Sequence, residues 1–229
     1  MRPTVYYCYD AWCGWCFGFS GVIHKISQDY QADFFFDVLS GGMIPVENKR
    51  PVKATASYIK NSYPHIEELA GVKFGVHYLW HIDHPDESDW FPESLTPAKA
   101  MCILKEHHPE KAVEFAIALQ LALFKEGRDL TDPEAYRHLL SEFNLPADSF
   151  FEKLGENRYS DMAKYEFAMV KQLQVSGFPS VLMQISDAKF YLLSRGYTSY
   201  EDIKQRIENI LTEINYTKHD LNDNTQSNH

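Results

Sequence analysis

The first 40 residues carry the hydrophobic pattern of a strand, a helix and a second strand. Thr4–Tyr9 is rich in β-branched and aromatic residues, which favour strands. In Cys13–Tyr30 apolar residues recur at helical spacing, and Asp33–Leu39 is a short, mostly apolar run that predicts a buried strand. A helix between two strands so close in sequence predicts a parallel, right-handed crossover.

From about residue 50 to residue 174 the spacing of apolar positions is helical, with almost no strand signal. Pro at a first helical position and Gly after a last one mark several of the expected ends. The predicted helices begin at Thr96–Pro97, span Glu110–Lys125, run from Asp132–Pro133 through Phe143, and then cover Ala147–Leu154 and Asp161–Gln174.

Strand signals return after a turn at Gly177-Phe178-Pro179. Ser180–Ile185 and Phe190–Ser194 predict a hairpin. Ser199–Tyr216 has an apolar stripe at helical spacing and predicts a closing amphipathic helix. The remainder, Lys218–His229, is polar, and we expect it to be disordered.

This order predicts an α/β fold with one mixed sheet and helices on both faces. We expect residues 1–40 and 158–217 to form a discontinuous sheet-bearing domain, with residues 41–157 as an all-helical insertion and 218–229 as a tail. The helical insertion would cover one side of the sheet and shape a substrate groove.

Composition and charge exclude several classes of protein. With 45% hydrophobic residues and 24% charged residues the chain is an ordinary globular one. Lys and Arg total 22 against 32 Asp and Glu, a net charge of -10 that disfavours nucleic acid and anionic membranes as partners.

The longest apolar stretch, Phe115–Phe124, is interrupted by Gln120 and too short to span a membrane. No secretory signal precedes the first strand, so we expect a cytoplasmic location.

Cys13 and Cys16 are the most informative residues, because they stand three apart where the first strand leads into a helix. Unpaired backbone N–H groups and the positive end of the helix dipole favour a thiolate at Cys13. One helical turn keeps Cys16 close enough to form a disulfide with it. Cys13 is therefore the predicted nucleophile in thiol–disulfide exchange, and Cys16 the thiol that resolves the mixed disulfide.

Other interpretations of these residue types remain open. Cys13 and Cys16 could be half of a zinc site or an inert buried pair, but no second Cys-x-x-Cys exists, and Cys8 and Cys102 are best explained as small buried hydrophobic residues. His77, His81 and His84 have metal-ligand spacing on a helix. Pro85 and Asp86 would end any such helix, and the aromatic neighbours of the histidines favour a packed loop or lid, so we predict no metal site.

Several segments resemble a known family. Ala11-Trp12-Cys13-Gly14-Trp15-Cys16 resembles the active site of thioredoxin-fold proteins, and Gly177-Phe178-Pro179-Ser180 resembles the cis-proline loop of that superfamily. The element order is similar to the DsbA-like branch. The longer stretch Tyr9–Phe19, together with Ser40-Gly41-Gly42-Met43 and Ser194-Arg195-Gly196-Tyr197, resembles FrnE-type DsbA-family oxidoreductases. The resemblance extends from Val5 to about Tyr216.

The resemblance implies a DsbA-like thioredoxin fold and assigns roles to individual residues. Cys13 would be the nucleophile, Cys16 the resolving thiol and Pro179 the cis-proline beside them. A trans proline that starts an edge strand is the alternative. Trp12, Trp15 and Phe178 would bind substrate as part of an apolar rim around Cys13. Phe17, Phe19 and Tyr197 are further candidates for this rim. For Phe19 and Phe17 the alternative is ordinary packing in the core. No cofactor is implied beyond the redox pair, with glutathione as a candidate co-substrate.

The sequence departs from the family pattern at two places. Thioredoxins and DsbA proteins carry a buried acid six positions before the first Cys, where this chain has Tyr7. Water or Asp10 would then have to accept the proton of Cys16. The two residues between the cysteines, Gly14-Trp15, are neither the Pro-His nor the Gly-Pro found in the best-known family members. The resemblance therefore does not indicate whether the protein oxidises or reduces its substrates. In a reducing cytoplasm, reduction or isomerisation is favoured.

The predicted function is therefore thiol–disulfide exchange on protein or small-molecule thiols and disulfides. The first alternative is a glutathione-dependent transferase or isomerase of the kappa or 2-hydroxychromene-2-carboxylate type, which shares the insertion topology but typically has Ser at the catalytic position and lacks the second Cys. The second alternative is a non-catalytic peptide-binding or chaperone module that uses the aromatic rim.

Overall fold

The computed structural model describes residues 2–215. A single mixed sheet is formed by β1 (Thr4–Tyr9), β2 (Phe35–Ser40), β3 (Ser180–Ser186) and β4 (Lys189–Arg195). Its strand order is β2-β1-β3-β4. Helix α1 (Gly14–Tyr30) connects β1 to β2, which pair in parallel as the sequence predicts. Strand β3 is antiparallel to β1, and β4 to β3.

This topology brings two distant segments of the chain together at one edge of the sheet. Cys8, near the end of β1, is opposite Ser180, the first residue of β3. In an antiparallel pair, the residues that follow one strand lie next to those that precede its partner. The turn that leads into α1 therefore lies beside Pro179.

Between β2 and β3 the chain is helical, as its apolar spacing predicts. The helices are α2 (Lys53–Ala70), α3 (Val76–Asp83), α4 (Leu95–His107), α5 (Ala112–Phe124), α6 (Arg137–Glu142), α7 (Ala147–Gly155) and α8 (Asn157–Gln172), and α9 (Tyr200–Glu213) follows the hairpin.

Two local predictions were wrong in detail. The segment around His77 and His81 is helix α3 rather than a loop, because Tyr78 and Ile82 fall on one helical face and both are buried. The helix predicted from Asp132 begins instead as a 3₁₀ turn over Pro133–Tyr136 and becomes α6 only at Arg137.

Helix α1 is packed on both sides. Phe19, Ile23 and Ile26 are fully buried, and α1 contacts α2, α5 and α9. The approach of α2 requires glycine at position 18, since a Cβ there would lie 2.8 Å from Cγ2 of Ile66. The start of α1, which includes Cys16 and directly follows Cys13, is thus held between the sheet and the helical segment.

Within residues 2–215, no helix combines the length and the apolar character that crossing a membrane requires. The division into a sheet-bearing domain and an insertion at residue 41 stays a prediction. The predicted tail, 218–229, and the end of the predicted last helix at Tyr216 lie outside the described residues.

Candidate active site

The turn between β1 and α1 is held by the side chain of Asp10. Its Oδ1 accepts a hydrogen bond from the backbone N–H of Trp12 (3.1 Å), and its Oδ2 accepts one from Met43 (2.8 Å). The backbone N–H of Cys13 donates to the carbonyl oxygen of Asp10 (3.0 Å). Asp10 is almost fully buried, and this burial raises the pKa of its carboxyl. One side chain therefore connects the turn before Cys13 to the segment after β2.

Cys13 caps the N-terminus of α1. Its backbone is extended (φ -86°, ψ 108°), and its Sγ accepts the backbone N–H of Cys16 at 3.4 Å. An acceptor in this position meets the unpaired donors and the positive dipole of the first helical turn, both of which favour negative charge. The sulfur of Cys13 therefore lies at the positively polarised end of α1.

The second neighbour of this sulfur comes from the loop before β3. The Phe178–Pro179 peptide bond is cis, the isomer implied by the resemblance. The thiol of Cys13 donates to the carbonyl oxygen of Phe178, with 3.6 Å between Sγ and O. The carbonyl oxygen of Pro179 accepts the N–H of Gly196 (2.7 Å), which ties the same loop to the end of β4.

Cys16 lies behind Cys13 and is fully buried. Burial raises the pKa of its thiol well above the ordinary value, and the side chain of Cys13 raises it further. Tyr7, at the position of the family's buried acid, has no exposed surface, and burial and the adjacent Cys16 raise the pKa of its phenol. Cys16 therefore keeps its proton more firmly than an ordinary cysteine does.

The predicted substrate-binding residues are divided between two cavities. Trp12 and Trp15 line a cavity of about 320 Å³ beside Cys13, whereas Phe178 lines a second one of about 620 Å³. Met43 contributes to both. Trp12 is fixed by a hydrogen bond from its Nε1 to the carbonyl oxygen of Glu93 (2.7 Å), and Trp15 packs its ring edge-to-face with His65. Cys13 and the three aromatic side chains are therefore assembled at one end of the sheet.

A comparison with protein families identifies the chain's relatives. The family model described as a DSBA-like thioredoxin domain matches residues 4–208. The chain belongs to this family. The resemblance seen in the sequence is confirmed at this level, whereas the FrnE subtype stays a prediction. No curated protein sequence matches this DSBA-like domain significantly.

Solved structures share the fold at low sequence identity. A protein of Nitrosomonas europaea is 21% identical with a TM-score of 0.79, over 93% of this chain and 99% of that one. The cytosolic disulfide reductase DsbM from Pseudomonas aeruginosa is 22% identical with a TM-score of 0.71, over 91% and 98%. A 2-hydroxychromene-2-carboxylate isomerase is 14% identical with a TM-score of 0.58, over 95% and 98%. These structures support the DsbA-like thioredoxin fold predicted from the sequence.

Two residues of the predicted aromatic rim lie in the core of this DSBA-like domain. Phe17 stacks on Phe124 with ring centroids 5.2 Å apart, and Phe19 is fully buried. Tyr197 is half-buried and meets Phe19 edge-to-face (6.3 Å). The helical periodicity of α1 turns Phe17 and Phe19 away from the surface that Trp12 and Trp15 share.

Cys8 and Cys102 are both buried, as the sequence predicts. Burial raises the pKa of each thiol to about 12. All four cysteines lie within the described residues, and none of them is in a disulfide in this structure. Cys8 and Cys102 are therefore suited to packing rather than to nucleophilic attack.

Two of the three histidines with metal-ligand spacing, His81 and His84, are engaged with other side chains. His81 stacks on Trp90 (3.8 Å between centroids), and its Nδ1 lies 2.8 Å from Oγ of Ser88. His84 stacks on Trp80. Over the part of the chain that the structure describes, no three His, Cys, Asp or Glu side chains are grouped to hold a metal ion.

Sequence reasoning missed two residues that support the site. The carboxylate of Glu93 accepts the N–H groups of Leu95 (2.6 Å) and Thr96 (3.0 Å), which fixes the carbonyl that holds Trp12. With its amide oriented to satisfy both partners, Gln120 donates to the carbonyl oxygen of Cys16 and accepts the N–H of Phe17, each at 3.2 Å. The one signal for Gln120 was a polar residue inside an apolar run. Glu93 had none.

Proposed function

We propose that this DSBA-like domain is a thiol–disulfide oxidoreductase that works through the Cys13-Gly14-Trp15-Cys16 pair. The observation that carries the proposal is the capping position of Cys13, whose sulfur accepts a backbone N–H of the first turn of α1. In our assignment Cys13 is the nucleophile, Cys16 resolves, and Pro179 holds the Phe178 carbonyl beside the pair. Trp12, Trp15 and Phe178 contact the substrate.

The reaction proceeds by two exchanges. The thiolate of Cys13 attacks one sulfur of a substrate disulfide and bonds to it, and the other substrate sulfur leaves as a thiolate that takes up a proton. Cys16 loses its proton and attacks the sulfur of Cys13, which releases the second substrate thiol and leaves a Cys13–Cys16 disulfide. Two electrons have then passed from the pair to the substrate. The reverse sequence oxidises a substrate dithiol.

We further propose protein disulfides as substrates, a cytoplasmic location and glutathione as a co-substrate. The disulfide reductase DsbM, with which this chain shares its fold, is described as cytosolic, and one of its structures contains glutathione. Under the reducing potential of a cytoplasm, reduction or isomerisation is favoured over net oxidation. Measurement of the potential of the pair in glutathione buffers tests the direction.

The test is an insulin-reduction assay with three matched variants. Cys13→Ala is expected to abolish turnover. Cys16→Ala is expected to stop turnover after the first exchange and to accumulate a mixed disulfide at Cys13, visible by mass spectrometry. Cys102→Ala, which removes a buried cysteine outside the pair, should retain activity. Turnover by Cys13→Ala equal to that of the parent protein would disprove the proposal.

A glutathione-dependent isomerase or transferase is the second candidate. Its support is the fold shared with a 2-hydroxychromene-2-carboxylate isomerase. Chemistry of that kind has no use for a resolving thiol, so Cys16 counts against it. The Cys16→Ala variant separates the two candidates. Glutathione conjugation or isomerisation that persists in this variant favours the isomerase or transferase. Loss of that activity in the variant favours disulfide exchange.

A further inference from the structure

The cavity of about 320 Å³ beside Cys13 lies between the start of α1 and helices α2 and α3. This volume is at the lower end of the range for small-molecule sites, about 300–1,000 Å³. Buried residues form its interior, namely Val52, Ile66, Phe74 and Tyr78. Thr55, Tyr58 and Met43 are exposed and stand at its mouth. The cavity therefore opens to solvent at one end and reaches the attacking residue.

The lining of this cavity is aromatic and uncharged. Trp and Tyr side chains, together with Phe74, make up much of it, and its side-chain polar groups are mostly hydroxyls such as those of Thr55 and Ser62. Among the described residues that line it, none is Asp, Glu, Lys, Arg or His. A charged group buried there would lose its hydration with no partner to replace it.

The neighbouring cavity has a different character. Across Met43, the cavity of about 620 Å³ has Glu47, Lys164 and Lys171 in its wall. The uncharged lining is thus a property of the cavity at Cys13 and not of the whole face around the pair. The cavity that Cys13 lines and the cavity that Phe178 lines therefore differ in charge.

We propose that the uncharged cavity is the subsite for the group carried by the sulfur that bonds to Cys13, and that it accepts an uncharged aromatic ring. The inference rests on the proposed function. The carbonyl oxygen of Phe178 and the N–H of Cys16 already occupy two directions around the sulfur of Cys13. The ring-lined cavity, which Cys13 itself helps to form, provides a third direction, and edge-to-face contacts with Trp15 and Phe74 suit a planar ring.

With an aryl disulfide as substrate, the reaction again consists of two thiol–disulfide exchanges. The Cys13 thiolate bonds to one arylthio sulfur, the disulfide bond breaks, and the other arylthiolate leaves and takes up a proton. Cys16, after losing its proton, attacks the sulfur of Cys13 and releases the second arylthiol from the cavity. The pair is oxidised by two electrons, and dithiothreitol in the assay returns it to the dithiol.

The experiment measures the rate of the first exchange by stopped flow with three small disulfides. These are 4,4′-dithiodipyridine, which is aromatic and uncharged, 5,5′-dithiobis(2-nitrobenzoate), which is aromatic and anionic, and bis(2-hydroxyethyl) disulfide, which is aliphatic and uncharged. Each rate is divided by that of free cysteine to remove intrinsic reactivity. We expect the uncharged aromatic disulfide to exceed each of the others by about tenfold.

Ser62→Trp fills the cavity and is expected to lower the normalised rate of the uncharged aromatic disulfide to about that of the aliphatic one. Ser57→Trp, on an exposed part of the same helix and outside the cavity, is the matched control. If Ser62→Trp does not fold, Thr55→Lys at the mouth should raise the rate of the anionic disulfide, whereas Ser57→Lys should not.

Equal normalised rates for the three disulfides overturn the inference, and so do equal effects of the position 62 and position 57 variants. Both outcomes leave the proposed function intact, provided that Cys13 still reacts faster than free cysteine. A protein in which Cys13 reacts with all three no faster than free cysteine contradicts the proposed function itself.

Discussion

The sulfur of Cys13 lies 3.6 Å from the carbonyl oxygen of Phe178, a residue 165 positions further along the chain. The contact depends on the antiparallel pairing of β1 with β3, which sets Cys8 opposite Ser180. Backbone groups from two distant segments of the chain therefore lie beside the sulfur of Cys13.

Alkylation should distinguish the four cysteines. Cys13 keeps 6% of its surface exposed and lines a cavity that opens to solvent, whereas Cys16 is fully buried and burial raises the pKa of its thiol. Burial also raises the pKa of Cys8 and Cys102 to about 12. Iodoacetamide at neutral pH should thus modify the reduced native protein at Cys13 alone. Mass spectrometry checks this, with the urea-unfolded protein as the control in which every cysteine reacts. Modification of Cys16 before Cys13 would contradict the assigned roles.

Gly41→Ala should disturb the Phe178 loop. A Cβ at position 41 would lie 2.0 Å from Cζ of Phe178, so the ring must move. We expect a loss of about 1–3 kcal/mol in the free energy of unfolding, together with a changed rate of Cys13 alkylation.

Gly21→Ala is the matched control for Gly41→Ala. Position 21 is inside α1 with open space around it, so alanine should stabilise the protein by about 0.5–1 kcal/mol. Urea unfolding measures both variants. A Gly41→Ala protein with parental stability and parental alkylation rate would show that Phe178 is not held by this contact.

Asp10→Ala should loosen the turn before Cys13, because the N–H groups of Trp12 and Met43 would lose their acceptor in a buried site. The expected cost is about 1–3 kcal/mol. Asp132→Ala, which removes an exposed acceptor at a 3₁₀ turn, should cost about 1 kcal/mol or less. Equal losses in chemical unfolding would argue against a special role for Asp10.

Lys105→Met should be strongly destabilising. The Nζ of Lys105 lies 2.8 Å from Oε1 of Glu166 and 2.5 Å from Oδ1 of Asp37, next to the end of β2. Burial raises the pKa of Glu166 even though Lys105 partly offsets that effect. Removal of the cation leaves a buried acid without its partner, at a cost of about 3–5 kcal/mol.

Two further variants test this explanation by urea unfolding. Lys189→Met breaks the exposed pair with Glu213 and should cost less than about 1 kcal/mol. Adding Glu166→Gln to Lys105→Met should recover part of the loss, since the unpaired acid is then gone. No recovery would mean that packing of the lysine side chain, rather than charge, accounts for the effect.

Stability should fall as pH decreases below about 6.5 because of His81. Burial lowers the pKa of this imidazole from 6.5, so the unfolded chain takes up the proton at a higher pH than the folded one. Between the two pKa values the unfolded state binds more protons, and the free energy of unfolding therefore decreases with decreasing pH, by at most about 1.4 kcal/mol per pH unit.

His81→Phe keeps a ring against Trp90 and should reduce this slope in urea titrations between pH 5 and about 7. Burial and the Arg128 guanidinium also lower the pKa of His138, so adding His138→Phe should flatten the profile further. An unchanged slope in the double variant would assign the pH dependence to other groups.

Local features of the sequence were sufficient for most of the secondary structure. The change from β-branched residues at Thr4–Tyr9 to helical spacing after Cys13 predicted β1, α1 and the placement of the pair at their junction. The hairpin and the amphipathic last helix followed in the same way. Boundaries moved where a side chain caps a turn, as Asp132 does at the 3₁₀ turn. Periodicity reports backbone conformation and the buried face of an element, and both depend on neighbouring residues.

The sequence by itself determined a pair of cysteines three positions apart at the start of a helix in an α/β fold, because spacing and capping are local. Only the tertiary structure decided that the Phe178 carbonyl meets Cys13, that Asp10 binds Met43, and that an uncharged cavity lies between α1 and α2. An apolar stripe specifies that a face will be buried but not which other face will cover it. That choice follows from strand pairing and helix packing over the whole chain.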